Sequence, residues 1–209
     1  MGGGGTFNLN AYKQYLSSNP NLTHLSTLQW REFKIGELFE IKPTKTYKMT
    51  NTALFTTKGN VPVVTNSSLN NGVSGYVDLE PTEKGNMITY SDTTTSDGIF
   101  YQPRDFVGYP HIQGLYPLQD LDKWNKHALL YFVVLFRKAS FGLFDYANKF
   151  NRQIAKQMTI KLPVNQNGTI AFEFMETFIK AVEKEAIKSV VLWSEKHLNA
   201  TKQVISKPL

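Results

Sequence analysis

The chain has 209 residues, of which 41% are apolar and 13% aromatic, a composition that supports a hydrophobic core and excludes a disordered protein. It has no cysteine and only four scattered histidines, so we expect no disulfide, no structural metal and no cofactor. The formal net charge of +6 favours a polyanionic partner, and no apolar run approaches the roughly 20 residues that cross a bilayer, so we expect a cytoplasmic protein that does not enter membranes.

The first 29 residues are predicted to be a leader or an N-terminal arm. Met1–Gly5 is a glycine-rich start that we interpret as a cloning-derived or flexible segment. A short helical pattern follows at Ala11–Leu16, and Asn19-Pro20 breaks it. We therefore expect the globular part to begin at Trp30.

Short strand patterns then alternate with turn-forming residues. From Trp30 the sequence predicts a strand, a tight turn at Gly36 and a second short strand. Five more strands are predicted at Asn60–Thr65, Gly72–Val77, Met87–Ser91, Gly98–Gln102 and Gln113–Leu118. Trp124–Arg137 is apolar nearly all round and predicts a buried helix.

The stretch Phe144–Pro163 joins these elements to the C-terminal part. It predicts a polar loop at Tyr146–Asn151, a short helix at Arg152–Met158 and a strand at Thr159–Leu162 that Pro163 ends. Together these patterns predict an α+β fold, with a twisted and mostly antiparallel sheet and short helices over residues 30–165. Residues 166–209 are predicted to form one long, coiled-coil-like helix that starts at Phe172.

The candidate binding surface for nucleic acid consists of four polar loops, at Lys42–Lys48, Thr65–Asn71, Ser91–Asp97 and Tyr146–Gln153. Their amide, hydroxyl and cationic side chains can contact phosphates and base edges, and Asn and Gln can pair with adenine. The stretch Lys42–Val77 also has four lysines and no acid. The predicted DNA-binding residues are Lys42, Lys45, Tyr47, Lys48, Asn66, Ser67, Ser68, Asn70, Asp92, Thr93, Thr94, Tyr146, Asn148, Lys149, Asn151, Arg152 and Gln153.

Two other classes of function remain open at this point. A polar group of Asp92, Asp97, Asp105 and His111 could serve an enzyme that acts on a nucleic acid or nucleotide, although aspartates that cap turns explain the pattern more simply. The sequence contains no hydrolase, kinase, phosphate-loop or dinucleotide-binding motif, so we predict no catalytic residue. The third possibility is a protein-interaction module whose basic surface is incidental.

The C-terminal helix has more apolar surface than one small domain can cover. Apolar residues recur at three- and four-residue steps along one face and then widen it. We predict an oligomer interface at Ile179, Val182, Ala186, Ile187, Val190, Val191 and Trp193.

Five blocks, in this order, carry a family resemblance: IGELFEIK (Ile35–Lys42), SLNNGVSGYV (Ser68–Val77), MITYS (Met87–Ser91), GIFYQP (Gly98–Pro103) and YANKFNRQIAKQMTIKLPV (Tyr146–Val164). They resemble a target recognition domain from the specificity subunits of type I restriction–modification systems and of related type II (IIB and IIG) enzymes. The first and last blocks are the specific ones, and the similarity continues into the helix at Phe172–Glu185.

The resemblance implies a non-catalytic subunit that reads one part of a bipartite double-stranded DNA site. The long helix would dock methyltransferase subunits, and nuclease subunits where the system has them. A full specificity subunit repeats the recognition domain and helix, so this chain resembles one half. A two-fold homodimer through the helix would restore the second half and would require a palindromic, interrupted site.

The chain departs from the family pattern at two places. Asp92 and the threonines after it replace a glycine that usually follows the MITYS-like strand, so that loop is expected to differ in shape. Ala171 replaces an aspartate that often starts the long helix, which removes an N-cap side chain.

Overall fold

The computed structural model describes residue 17 and residues 28–56, 58–93, 96–144 and 149–205. The predicted helical pattern at Ala11–Leu16 lies outside these residues. Within the described part of the chain, no helix combines the length and the apolar character needed to cross a membrane.

The structure alternates short strands with helices. The strands are β1 (Gln29–Lys34), β2 (Phe39–Pro43), β3 (Val61–Val64), β4 (Val73–Val77), β5 (Met87–Ser91), β6 (Ile99–Gln102), β7 (Ile112–Pro117) and β8 (Thr159–Val164). The helices are α1 (Ile35–Leu38), α2 (Asn51–Leu54), α3 (Lys126–Ser140), α4 (Arg152–Gln157) and α5 (Phe172–Ile205).

The described strands form three antiparallel sheets. The central sheet has the order β2-β7-β5-β6, while β1 pairs with β8 and β3 pairs with β4. Each of the five strands predicted between residues 60 and 118 is present within one residue of its predicted bounds. The predicted α+β class, with mostly antiparallel strands and a long C-terminal helix, is confirmed.

The main core lies between one face of the central sheet and helix α3. The Phe39 and Phe132 rings lie 4.8 Å apart, and the Tyr90 and Phe136 rings 5.8 Å apart, between centroids. Helix α3 begins two residues later than predicted, because the Asn125 side chain accepts hydrogen bonds from the first free backbone N–H groups and so acts as the N-cap.

A second, smaller core covers the opposite face of the central sheet. Val64 at the end of β3 packs there with Met87, Phe106 and Ile112, all of them buried. This contact places the β3–β4 pair against β5 and β7 and brings the loop after β3 toward the central sheet.

The tight turn predicted at Gly36 is wrong, because this segment forms the one-turn helix α1. The Lys34 N–H donates to the Glu37 carboxylate at 3.1 Å, which caps the turn. A Cβ at Gly36 would lie 3.1 Å from the Lys156 Cβ, so glycine allows α1 to pack closely on α4. The helix therefore depends on a segment 120 residues away, which no local pattern reveals.

The prediction that Pro163 ends the last strand is also wrong, since β8 continues to Val164. Pro163 lies opposite Trp30 in the two-stranded β1–β8 sheet. A proline is tolerated in a strand whose other edge is open, because its missing N–H is not required there. Its carbonyl accepts from the Ala171 N–H at 2.9 Å and so ties β8 to the start of α5.

The first turns of helix α5 pack on the body of the protein. The Phe172 ring lies 4.9 Å from Trp124, the Phe178 ring lies 5.6 Å from Tyr131, and Met175 is fully buried. Ala171 is itself buried, and its carbonyl starts the helix by accepting from the Met175 N–H at 3.2 Å.

The contact between α5 and the body ends near Glu183. The Lys126 Nζ donates to the Glu183 carboxylate at 2.7 Å, and the His127 ring lies 3.1 Å from its other oxygen. The hydrogen bond from Lys126 lowers the pKa of Glu183. From Ala186 to Leu198, every side chain that the structure describes is exposed.

Candidate nucleic-acid interface

One end of the central sheet gathers the polar loops that the sequence singled out. The register places Gln113 opposite both Pro43 and Tyr90, and Tyr90 opposite Ile99. Because neighbouring antiparallel strands run in opposite directions, the C-terminal ends of β2 and β5 lie beside the N-terminal ends of β6 and β7. We call this end of the sheet, which is marked by Pro43, Tyr90, Ile99 and Gln113, the loop end.

The loop after β3 is joined to the loop end by a side-chain hydrogen bond. The Asn66 Nδ2 donates to the Thr93 Oγ1 at 3.3 Å, and that oxygen is 3.0 Å from the Ser91 Oγ. Ser67 stabilises the same loop, since its Oγ accepts from the Leu69 N–H at 3.0 Å. Three of the predicted residues, Asn66, Ser67 and Thr93, therefore belong to one connected surface.

The far side of this loop is attached to β6. Asn70 and Asn71 have left-handed backbones, with φ of 48° and 56°, which Asn tolerates better than most residues. The Asn71 Nδ2 donates to the Tyr101 carbonyl at 2.9 Å, and the Asn70 Nδ2 donates to the Val73 carbonyl at 3.1 Å. The predicted Asn70 thus stabilises its own turn, and Asn71 was not predicted although the Asn-Asn-Gly pattern could have suggested it.

The segment before α4 reaches the loop end through a buried aromatic ring. Phe150 is fully buried, and its ring lies 4.7 Å from Tyr90 and 4.1 Å from Phe144. The Asn151 side chain accepts from the Ile154 N–H at 3.0 Å and caps α4. The side chains around this anchor, Lys149, Arg152 and Gln153, are exposed.

The pKa of Tyr90 reports the charges around the loop end. Burial raises this pKa, the carboxylate of Asp92 raises it further, and the guanidinium of Arg152 opposes both. Helix α4 and the loop after β5 therefore lie close enough to Tyr90 for their charges to act on the same hydroxyl.

Asp92 is the centre of a hydrogen-bonded group. One carboxylate oxygen lies 3.1 Å from the His111 Nδ1, and the other accepts from the Gln113 Nε2 at 2.8 Å. Its backbone N–H also donates to the His111 carbonyl at 3.0 Å. Gln113 was not predicted as a site residue, although a polar side chain at the start of an otherwise apolar strand is a recognisable signal.

The loop after β2 carries the lysines of the candidate surface. The Thr44 N–H donates to the Ile112 carbonyl at 2.9 Å, which ties this loop to the loop end, and Lys45 and Lys48 are exposed. Lys42 differs from them, because its ammonium lies 2.8 Å from the Glu40 carboxylate and 4.2 Å from the centre of the Tyr116 ring. Lys42 therefore has an acid beside it, although the stretch Lys42–Val77 contains none.

Two further predicted residues lie on these loops, Tyr47 after β2 and Ser68 after β3. The Tyr47 hydroxyl donates to the Glu80 carbonyl at 2.9 Å, so this phenol is engaged within the protein. Ser68 is exposed beside Asn66 and Ser67. The predicted residues Thr94, Tyr146 and Asn148 lie outside the described residues.

The polar group considered for catalysis is divided between two ends of β5. Asp92 and His111 meet at the loop end, whereas Asp105 accepts from the Lys84 Nζ and from the Gly85 N–H, each at 2.8 Å, near the opposite end of that strand. The hydrogen bond from Lys84 lowers the pKa of Asp105. Among the described residues, there is also no group of three or more His, Asp or Glu side chains that could hold a metal ion.

The predicted interface residues on α5 fall into two groups. Ile179 is 9% exposed and belongs to the main core, and Val182 is half-buried, so both mainly pack within the chain. Beyond them the predicted residues Ala186, Ile187, Val190, Val191 and Trp193 are exposed. We call the large exposed apolar residues of this part of α5 the distal patch. It consists of the predicted Ile187, Val190, Val191 and Trp193 together with Leu192 and Leu198, which were not among the predicted interface residues.

A family match and a curated relative agree on one protein family for this chain. A sequence family described as the type I restriction modification DNA specificity domain matches residues 28–192. The curated type II restriction enzyme specificity subunit S.BcgI of Heyndrickxia coagulans is 28% identical over 177 residues, which are 80% of this chain and 47% of that protein.

Solved structures share the fold at low identity. The S subunit of a type I restriction–modification system from M. genitalium matches with a TM-score of 0.59 at 14% identity, over 93% of this chain and 50% of that one. The HsdS subunit from Thermoanaerobacter tengcongensis matches with a TM-score of 0.52 at 10% identity, over 94% of this chain and 52% of that one. The chain spans about half the length of these relatives.

The fold and the long helix agree with this match, which covers most of the sequence. The chain belongs to the type I restriction–modification DNA specificity domain family.

Proposed function

We propose that this chain is the DNA-recognition half of a specificity subunit. It reads one part of a bipartite double-stranded DNA site from the loop end of the central sheet and performs no chemistry itself. It directs methyltransferase subunits, and nuclease subunits in systems that have them, to that site in the cytoplasm. The observation that carries the proposal is the meeting of three polar loops at the loop end, with the start of α4 beside Tyr90, in a member of a DNA specificity family.

The described side chains divide into two kinds of contact. Lys45 and Lys48 are exposed cations on one loop, and they suit phosphates, which position a protein on DNA without reading its sequence. Arg152 and Gln153 are exposed at the start of α4, where their donors and acceptors suit base edges in the major groove. Asn66 is fixed by Thr93 and would present its remaining acceptor beside them.

The same proposal assigns recognition to residues 30–165 and assembly to residues 166–209. The distal patch supports the second assignment, because exposed apolar surface of this extent marks an interaction site. We propose that two chains pair along this part of α5 as a two-fold homodimer. Such symmetry requires the two DNA half-sites to be inverted repeats with a spacer between them.

Binding and turnover by the isolated chain test the proposal. The expected result is duplex binding whose affinity falls steeply with salt, without any change to the DNA or to nucleotides. Turnover that disappears in the Asp92→Ala protein would contradict the non-catalytic role. Failure to bind duplex DNA at low salt would contradict the recognition role.

A further inference from the structure

His111 has an unusual backbone at the loop end. Its φ is 70°, a left-handed value that side chains with a Cβ rarely adopt. Two hydrogen bonds hold this conformation, from the Ile112 N–H to the Tyr109 carbonyl at 3.1 Å and from the Asp92 N–H to the His111 carbonyl at 3.0 Å. The result is an imidazole that projects from a fixed backbone and is 59% exposed.

Asp92 fixes the ring as well as the backbone. A carboxylate can only accept hydrogen bonds, so the His111 Nδ1, 3.1 Å from its oxygen, carries the hydrogen. The other oxygen of Asp92 accepts from Gln113, so both oxygens have partners within the protein. The carboxylate is 23% exposed, far less than the imidazole that it holds. Asp92 therefore positions the His111 ring, and both of its oxygens are engaged within the protein.

Gln113 supports Asp92 from a buried position in β7. It is 4% exposed, and its Nε2 donates to the Asp92 carboxylate at 2.8 Å, so the side chain that holds the carboxylate is itself fixed by its surroundings. The Gln113 Oε1 and the Tyr90 hydroxyl are buried and have no hydrogen-bond partner among the described residues.

Other charged groups around the imidazole come from the neighbouring loops. Asp92 faces it from the loop after β5, and Arg152 on α4 is near enough to affect the adjacent Tyr90 hydroxyl. The loop that carries Lys45 adjoins the segment before β7 through the pairing of Thr46 with Gly108. His111 thus lies at the loop end, beside the loop after β5, and the loop that carries Lys45 adjoins the segment that leads to it.

We propose that His111 reads a base, with Asp92 as its positioning residue. With the hydrogen on Nδ1, the Nε2 of a neutral imidazole is an acceptor. The major groove offers matching donors in the N6 amino group of adenine and the N4 amino group of cytosine. The inference rests on the proposed function, since it requires the loop end to bind duplex DNA.

The first test compares a variant that removes the acceptor at residue 111 with a variant that keeps one. Selection with the unmodified chain defines its preferred duplex, and selections with His111→Gly and His111→Gln follow. Glycine adopts the left-handed backbone without strain, whereas glutamine keeps an acceptor. The expected result is that His111→Gly loses about three- to tenfold preference for adenine or cytosine at one position, the value of one hydrogen bond, while His111→Gln keeps part of it.

Removal of one amino group from the DNA then identifies the base that His111 contacts. Purine in place of adenine, or 2-pyrimidinone in place of cytosine, removes only the amino group at that position. This change should weaken binding by the unmodified chain and leave binding by His111→Gly unaltered. Equal weakening of both proteins would overturn the base contact, as would a uniform loss of affinity for every duplex in the His111→Gly protein.

The positioning role of Asp92 is tested by a change that keeps the size of its side chain. The carboxamide of Asp92→Asn can donate to the His111 Nδ1, so it no longer fixes the hydrogen on that nitrogen. The preference for adenine or cytosine should therefore be weak in Asp92→Asn. A preference in Asp92→Asn equal to that of the unmodified chain would contradict the inference.

Failure of the inference and failure of the proposed function give different results. If the unmodified chain selects no sequence at all, the proposed function is wrong and the inference falls with it. If it selects a site and His111→Gly selects the same site with equal strength, only the inference is wrong. Thermal unfolding of each variant verifies that the proteins compared are folded.

Discussion

Substitution of the distal patch should separate the proposed homodimer into folded monomers. Val190 and Val191 are 65% and 47% exposed, and we change both to glutamate. Full burial of a valine contributes about 1.5–3 kcal/mol, so burial of these exposed fractions contributes about 2 kcal/mol for each helix and about 4 kcal/mol for a symmetric pair. Loss of about 4 kcal/mol raises a dissociation constant about a thousandfold. The new carboxylates, placed without partners against apolar surface, add to that loss.

Sedimentation at tens of micromolar measures this effect. The unmodified chain should sediment as a dimer and the double variant as a monomer. The double variant should still unfold cooperatively, because the described side chains from Ala186 to Leu198 are exposed and make no part of the core. Lys188→Glu is the matched control, since it changes the formal charge by the same amount from an exposed position outside the three- and four-residue stripe. It should remain dimeric.

A monomeric unmodified chain at this concentration would refute the homodimer. Dissociation of the Lys188→Glu control to the same extent would show instead that charge, rather than loss of apolar burial, separates the chains. In the first case the distal patch would serve to bind a different half-subunit or a methyltransferase.

Three further changes probe the loops and the attachment of α5. Lys45→Ala and Lys48→Ala should each lower the slope of log K against log salt by about 0.9. Lys42→Ala should lower the slope less, because the Lys42 ammonium already pairs with the Glu40 carboxylate. Equal slopes for all three variants would contradict this. Glu183→Gln should reduce the free energy of unfolding by about 0.2–1 kcal/mol at pH 7. The folded-state pKa of this carboxyl is lowered, so in urea unfolding the difference is present above its ordinary value of 4.5 and vanishes as the pH falls through the lowered value. Gly108→Ala would place a Cβ 2.5 Å from the Lys45 carbonyl oxygen. It should destabilise the protein by about 1–3 kcal/mol in urea unfolding and weaken duplex binding. An unchanged stability would show that the loop after β2 does not pack on Gly108 as described.

Local patterns in the sequence predict most of the elements correctly. The strands between residues 60 and 118 have apolar runs bounded by Asn, Gly and Asp, and these signals depend only on neighbouring residues. The same holds for α5, a helix of 34 residues that begins with an apolar stripe at three- and four-residue steps. The helix α1 was missed because its formation depends on packing against Lys156 and on the Glu37 cap.

The composition of the candidate surface was easier to predict than its arrangement. Polar loops were recognisable by their Asn, Thr and Lys content, but their meeting at one edge follows from the β2-β7-β5-β6 order, which no single segment encodes. Asp105 was grouped with Asp92 because the two are close in sequence, yet β5 separates them in space. The sequence grouped Asp92 with His111, but their contact depends on the register of β5 and β7, which no local pattern encodes.

Selection of duplexes from a random pool by the unmodified chain shows whether it reads DNA sequence. The expected result is enrichment of a defined sequence, present as two inverted half-sites with a fixed spacer, and binding that weakens as salt increases. Recovery of a pool without any enriched sequence, at a salt concentration where the chain binds duplex DNA, would contradict sequence-specific recognition, because a basic protein that does not read bases would give that result.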